Sequence, residues 1–197
     1  MTATQVLRAA FVRTAGARDR IYVTRTDGSE VSWSFPTYGD ALPHDLVHLI
    51  VESCFGLSSG FWGRVDRGAD PERIAAEANR IGGKDKYAGF GADRTELLRA
   101  EALANAPWWR DGTTLEEIEQ AVGEQCRQLG VAVPDRFLER AASARGMLAR
   151  MNERWRALGS KGTLDVTFRT DRPEDSQIEL AGREAERSQI ADQRTPR

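Results

Sequence analysis

The sequence predicts an α+β fold, in which a small antiparallel sheet from the two ends of the chain packs against about five helices. Two β-type segments flank the dipeptide Asp27-Gly28, which accepts the positive φ angles of a tight hairpin turn. Near the other end, Leu164, Val166 and Phe168 alternate with other residues, as in a strand with one buried face. The segments between these two regions carry helix-type patterns and helix caps.

The hairpin and two terminal segments account for the whole predicted sheet. The second hairpin strand has Val31, Trp33 and Phe35 on one face by strict alternation, and Pro36 ends it. The late strand is expected to join the N-terminal strands in one sheet. The four predicted strands cover residues 5–14, 21–25, 31–35 and 162–169.

Start and stop signals predict five helices. Pro43 presets φ for the first turn of one helix, and Gly56 is placed to end it in the left-handed conformation. Thr114 and Glu117 form a capping box at the start of another. The predicted helices cover residues 43–55, 70–81, 93–105, 115–129 and 134–158. Residues 60–63, which contain two large aromatic side chains, are predicted to lie in a loop.

The length and composition predict one domain followed by a tail. A chain of 197 residues is long enough to bury one substantial core. We assign residues 1–170 to this single domain. Residues 171–197 are polar, mixed in charge and nearly free of large apolar side chains, so we expect them to form a flexible tail.

The charge balance argues against several classes of partner. The net charge is −2 and the pI is near 5.8, which gives no electrostatic reason to expect nucleic acid or an anionic membrane as partner. The apolar runs are far shorter than the ~20 residues of a membrane span, and the N-terminus does not resemble a signal peptide. We expect a cytoplasmic protein whose partner is a small molecule or another protein.

The candidate site is a stripe of polar residues on the first predicted helix. His44 and His48 are the only histidines in the chain, and they lie four residues apart. Because each helical residue advances by about 100°, His44, His48 and Glu52 fall on one face, with Asp45 at its edge. The rest of the segment is largely apolar. The pattern therefore indicates a mostly buried helix with a narrow stripe of metal-type ligands.

This stripe predicts a divalent metal site, with zinc as one candidate ion. Two imidazoles at i and i+4 can bind one ion, with Glu52 as a third ligand and Asp45 as the base or as a group that orients a histidine. Residues eight apart on a helix lie about 12 Å apart, so a third ligand from a later helix is geometrically easier. The candidates for that ligand are Glu77, Glu96 and Glu101.

Two functional hypotheses follow, from different classes of protein. In the first, the metal site serves a hydrolase or lyase. In the second, the stripe is only the solvated face of an amphipathic helix, and the protein is a non-enzymatic interaction module without metal. Its partner would contact exposed aromatic residues and the tail. Convergence of the two imidazoles on a common point would favour the first hypothesis.

Two further segments carry weaker signals. Residues 82–91 are rich in glycine and include Lys84 and Lys86, but they lack the Gly-Lys-Ser/Thr ending of a phosphate-binding loop. We interpret this segment as a connector. Trp108 and Trp109 follow a proline, and such a pair belongs more often to a core or an interface than to a binding platform.

The runs LPHDLVH and FGLSSGFWGRV resemble a group of uncharacterised bacterial proteins, chiefly actinobacterial, that have a similar histidine helix after a β-hairpin. The resemblance covers about residues 20–66 and implies no assigned activity. The His-Asp-x-x-His core is also similar to the zinc motif of a ubiquinone-biosynthesis protein family. That family has a glutamate twelve residues after the second histidine, where this chain has Gly60.

Overall fold

The structure is a computed structural model that describes residues 6–14, 16, 18–36, 39–78, 94–159, 161–169 and 173, without the side chains of 75–78. Four strands and six helices lie in these ranges. The strands are β1 (Val6–Val12), β2 (Arg18–Thr24), β3 (Glu30–Pro36) and β4 (Thr163–Arg169). The helices are α1 (His44–Phe55), α2 (Phe61–Asp66), α3 (Pro71–Ala78), α4 (Thr95–Ala104), α5 (Leu115–Leu129) and α6 (Phe137–Ala157).

The strands form one antiparallel sheet in the order β3-β2-β1-β4, which confirms the α+β prediction. The hairpin turn is where Asp27-Gly28 predicts it, and Gly28 has a φ of 83°. β4 pairs with β1 along its whole length, from Val6 opposite Arg169 to Val12 opposite Thr163. The first and last described strands therefore pair with each other, and β4 forms one edge of the sheet.

The helices cover one face of the sheet. Alternate strand residues point toward them and are buried, such as Phe11 on β1, Ile21 on β2 and Phe168 on β4. α1 lies against α4, α6 and β4, and most of its side chains are buried. It is the central helix, as a nearly continuous apolar sequence predicts.

The local signals set the ends of α1 as expected. Pro43 precedes its first residue, and Gly56 ends it with a φ of 69°. Thr114 and Glu117 form both hydrogen bonds of the capping box that begins α5.

One prediction is wrong in this region. Residues 60–63 are not a loop, because a short helix, α2, begins at Phe61. The end of α2 is tied to the hairpin, since the backbone and hydroxyl of Thr26 donate to the carboxylate of Asp66 at 2.8 and 2.9 Å. α2 therefore links the histidine helix to the sheet.

Several predictions lie outside the described residues. They concern residues 82–91 and the tail at 171–197, apart from Pro173, whose carbonyl accepts a hydrogen bond from Ser53 Oγ at 2.9 Å. Within the described part of the chain, no helix has the length and apolar character needed to cross a membrane.

Candidate functional site

The polar stripe of α1 is largely buried. His48 is 2% exposed and Glu52 is fully buried, whereas His44 is exposed at the first turn of the helix. The alternative of a solvated helix face is therefore wrong for His48 and Glu52. Burial of these groups requires partners inside the protein, because an unpaired buried charge is strongly unfavourable.

Glu52 receives two of its partners from the start of α2. Its Oε1 accepts the backbone N–H of Phe61 at 2.9 Å, and its Oε2 accepts that of Trp62 at 3.0 Å. The carboxylate thus satisfies two amides at the first turn of α2, which lacks a cap from its own sequence. A ligand role for Glu52, predicted from the sequence, would require these bonds to be exchanged for bonds to a metal. That role stays a prediction.

Gly60 explains how the carboxylate reaches this position. A Cβ at residue 60 would lie 2.5 Å from Cδ of Glu52, closer than van der Waals contact allows. The absence of a side chain at Gly60 is therefore a condition for the Glu52 position. The same contact leaves no space at residue 60 for the glutamate of the ubiquinone-biosynthesis family motif.

Asp45 organises two indole rings. Its Oδ2 accepts the Nε1–H of Trp33 at 2.9 Å, and its backbone carbonyl accepts the Nε1–H of Trp62 at 2.9 Å. No hydrogen bond to the other carboxylate oxygen, Oδ1, is found within the described ranges. Asp45 therefore fixes Trp33 with one oxygen and has the other available. Its predicted role as a base stays untested.

His48 lies between two carboxylates. Its Nδ1 is 3.4 Å from Oε1 of Glu52, and its Nε2 is 3.7 Å from Oε1 of Glu101 on α4. Burial alone lowers the pKa of His48, but the charges of Glu101 and Glu52 outweigh this effect and raise the pKa to about 9. The ring is therefore an imidazolium at neutral pH. Burial raises the pKa of Glu52, against the opposing effects of His48 and the two amides.

His44 packs edge-on against His48, with a ring-centroid distance of 4.8 Å. Desolvation of the ring by the surrounding protein, and then the positive charge of His48, lower the pKa of His44 below its usual value of 6.5. The two histidines therefore have opposite protonation states near neutral pH. Only His44, the neutral one, is exposed to solvent.

The structure distinguishes two of the three alternative carboxylates, Glu96 and Glu101. Glu101 faces His48, whereas Glu96 accepts the backbone N–H of Ser59. The side chain of Glu77 is outside the described part. In the ranges that the structure describes, no group of three or more His, Cys, Asp or Glu side chains is arranged to hold a metal ion.

His44 and Asp45 open into a cleft of about 780 Å³. It lies between β3, the first turn of α1, the start of α3 and the end of α4. We call it the histidine cleft and define it by Trp33, Phe35, His44, Asp45, Asn105 and Trp109. Another concavity, of about 680 Å³, lies on the outer face of the sheet and contains no histidine. His44 lines the histidine cleft and His48 packs behind it, and the pKa values of both are shifted. The histidine cleft is therefore the candidate site.

Sequence reasoning did not assign the aromatic part of this site. Trp33 was expected only on the buried face of its strand, and Phe61 in a loop. Trp108 and Trp109 divide their roles, because Trp108 is buried and donates to the carbonyl of Leu103, whereas Trp109 is 49% exposed at the cleft. The strict alternation in β3 is the one signal that places Trp33 on the helix side of the sheet.

The chain was compared with models of protein families, with curated proteins and with solved structures, and none of them matches. The resemblance of its LPHDLVH run to uncharacterised bacterial proteins therefore stays a prediction. The distances and burial described above are therefore the basis on which the histidine cleft is assigned as the candidate site.

Proposed function

We propose that this protein binds a small organic molecule in the histidine cleft. The observation that carries the proposal is the position of His44 at the wall of a cleft with aromatic sides, with the buried His48 packed against it. Ligand sites combine apolar and aromatic walls with a few polar groups, and titratable groups with shifted pKa values concentrate there. A volume of about 780 Å³ lies in the range typical of such sites.

His44 and Asp45 are the polar groups that would contact the ligand. A neutral imidazole can accept a proton or donate an N–H at neutral pH, which suits either ligand recognition or acid–base chemistry. Oδ1 of Asp45 can accept a hydrogen bond while Oδ2 remains bonded to Trp33. Glu101 and Glu52 contact His48, and desolvation together with the charge of His48 lowers the pKa of His44.

Two matched variants test whether ligands bind at the histidine cleft. Among the described residues, Trp109 and Tyr22 are aromatic side chains of similar exposure, at 49% and 47%, and they lie at different places. A fragment library screened by amide chemical-shift changes should give hits around Trp109 and His44. We expect Trp109→Ala to weaken these hits and Tyr22→Ala to leave them unchanged. Hits at no residue of the cleft would overturn the proposal.

A divalent metal ion is the second candidate occupant, because His44 and His48 lie four residues apart on α1 and the carboxylate of Glu101 faces His48. We propose His44 and His48 as ligands, with Glu101 favoured over Glu52 as the third, since both carboxylate oxygens of Glu52 already accept backbone N–H groups of α2. Asp45 would then serve a hydrolase or lyase as base. Binding would release the proton of His48, so metal affinity should rise with pH.

Elemental analysis tests this second candidate on protein purified without a histidine tag or chelator. We expect bound zinc or another divalent metal near one equivalent, lost in the His44→Ala/His48→Ala variant. Loss in Glu101→Gln but not in Glu52→Gln would identify Glu101 as the third ligand, and the reverse would identify Glu52. No metal after incubation with zinc would exclude the metal hypothesis. The fragment experiment is independent of this result.

A further inference from the structure

We propose that the ligand of the histidine cleft is an organic cation, such as a protonated amine with an apolar body. This inference rests on the proposed function, because it assigns a chemical class to the occupant of the same cleft. Three observations support it: the charges on the cleft walls, the charges beneath His44, and the aromatic surface beside them.

The cleft walls carry more acidic than basic groups. Asp45 and Glu72 both line the cleft, Asp45 with a carboxylate oxygen available and Glu72 on the first turn of α3. The basic group on the walls is Arg18, whose Nε and Nη2 donate to the Oγ and carbonyl of Ser34 at 3.0 and 2.8 Å. Those bonds hold the guanidinium along β3. The described residues of the walls therefore carry two carboxylates and one guanidinium, an excess of negative charge.

The groups beneath the cleft do not reverse this excess. His48 has a carboxylate on each side, with Glu101 at 3.7 Å from its Nε2 and Glu52 at 3.4 Å from its Nδ1. His44 lies between this cluster and solvent, with its ring centroid 4.8 Å from that of His48. Among the described residues of the walls, an anionic ligand would thus meet two carboxylates, those of Asp45 and Glu72, and one guanidinium, that of Arg18.

Aromatic side chains complete the recognition chemistry. Trp109 is 49% exposed beside the cleft, and Phe61 and Trp33 form part of its wall. The faces of such rings attract cations, with tryptophan the strongest. Oδ1 of Asp45 supplies an acceptor for an ammonium N–H at the first turn of α1. A carboxylate next to aromatic faces is suited to an alkylammonium or benzylammonium group.

The experiment compares three probes of similar size and different charge: benzylammonium, benzyl alcohol and benzoate. Binding is followed by amide chemical-shift titration of the full chain at pH 7 and low salt. We expect benzylammonium to bind about tenfold more tightly than benzyl alcohol, with benzoate the weakest. Addition of salt should reduce the difference between the cation and the alcohol, because salt screens charges.

Variants that replace one carboxylate with a neutral amide test which residue causes the preference for benzylammonium. We expect Asp45→Asn to remove most of the preference for benzylammonium, because asparagine keeps the acceptor for Trp33 but loses the charge. Glu116→Gln removes an equal charge from the exposed first turn of α5 and should change nothing. An unchanged preference in Asp45→Asn would overturn the assignment of this carboxylate.

The outcomes separate this inference from the proposed function. If benzyl alcohol or benzoate binds at the cleft as tightly as benzylammonium, the cation inference is wrong and the cleft remains a ligand site. If none of the three probes, and no fragment of the neutral library, shifts the amides of the cleft, both proposals are wrong. A preference for benzylammonium that is lost in Asp45→Asn supports both.

Discussion

Gly60 shows how strongly one residue can control this site. Its missing side chain allows Glu52 to reach the amides of Phe61 and Trp62, because a Cβ would lie 2.5 Å from the Glu52 carboxyl carbon. Any substitution must displace a buried carboxylate, and that displacement leaves two amides without their acceptor. The glycine is therefore required by packing, since its φ of −69° is one that any residue adopts.

We expect Gly60→Ala to lower the free energy of unfolding by about 1–3 kcal/mol, the usual cost of overpacking a buried site. The control is Gly146→Ala in α6, where a Cβ would meet only Arg150 Nη1 at 3.6 Å. That change should be neutral or stabilise by up to ~1 kcal/mol, because alanine favours the helix. Urea denaturation measures both variants. Equal stability of Gly60→Ala and the wild type would refute the packing argument.

His48 gives the fold a pH dependence of known sign. Its pKa is about 9 in the folded protein, against 6.5 for an unperturbed histidine. A raised pKa means that its stabilising contribution is complete below pH 6.5 and is lost as the pH rises through 9. The buried Glu52 has the same sign, because its pKa is also raised. Alkaline pH should therefore weaken the protein at this site.

The His48→Gln variant isolates this effect. We expect its stability deficit relative to the wild type to shrink between pH 6.5 and 9, by an amount on the order of 3 kcal/mol. Denaturant unfolding at several pH values in this interval measures the deficit. A deficit that is constant with pH would mean that His48 is neutral in the folded state.

At the scale of elements, the capping box of α5 is a local feature with a measurable effect. The Oγ of Thr114 accepts the N–H of Glu117 at 3.2 Å, and the Glu117 carboxylate accepts the N–H of Thr114 at 2.8 Å. We expect Thr114→Ala to cost about 1 kcal/mol of stability, as is usual for this cap. The neighbouring Thr113→Ala should cost much less. Thermal unfolding of the two variants tests the difference, and equal losses would argue against the cap.

The elements that the sequence predicts well are those determined by near neighbours. The hairpin turn at Gly28, the left-handed end of α1 at Gly56 and the box at Thr114 each depend on contacts within a few residues. α2 does not, because Glu52 on the preceding helix satisfies its first amides. The sequence of residues 60–66 does not itself contain the carboxylate that accepts these N–H groups. The segment therefore resembles a loop.

The same difference between local and distant contacts applies to the candidate site. Helical spacing is sufficient to place His44, His48 and Glu52 on one face, and it predicts their proximity correctly. The spacing on α1 does not reveal which carboxylate of α4 approaches His48. Glu96 and Glu101 point in different directions from α4, and the packing of α4 on α1 decides which of them faces His48. Nor does the spacing show that Asp45 is bonded to Trp33, since that contact requires the packing of α1 on the sheet.

At the scale of the whole molecule, the surface carries few large apolar side chains. Those exposed in the described ranges are Tyr22, Trp109 and Leu138. Tyr22 is on the sheet, Trp109 is at the histidine cleft, and Leu138 is on α6. The interaction-module hypothesis stays a prediction. Light scattering tests it, since a mass above that of the monomer would favour it and a strictly monomeric protein would count against it.

Truncated chains test the predicted domain boundary. A chain that ends after residue 175 retains β4 and Pro173, and we expect its unfolding free energy to match the full chain within about 0.5 kcal/mol. A chain that ends after residue 159 lacks β4 and exposes the apolar residues that face it, and we expect no cooperative unfolding transition. Circular dichroism during urea titration distinguishes these outcomes. A large loss in the longer chain would show that the domain extends beyond residue 170.

The pairing of β1 with β4 also has a consequence for synthesis of the protein. A growing chain makes β1 first, yet the partner for one edge of β1 is added only at residues 163–169. During translation this edge has backbone N–H and C=O groups that any other extended segment can bind. Contacts between distant parts of a chain also form slowly. The interval between synthesis of the first and last strands is therefore the stage at which a ribosome-bound chain is most exposed to aggregation or to chaperones.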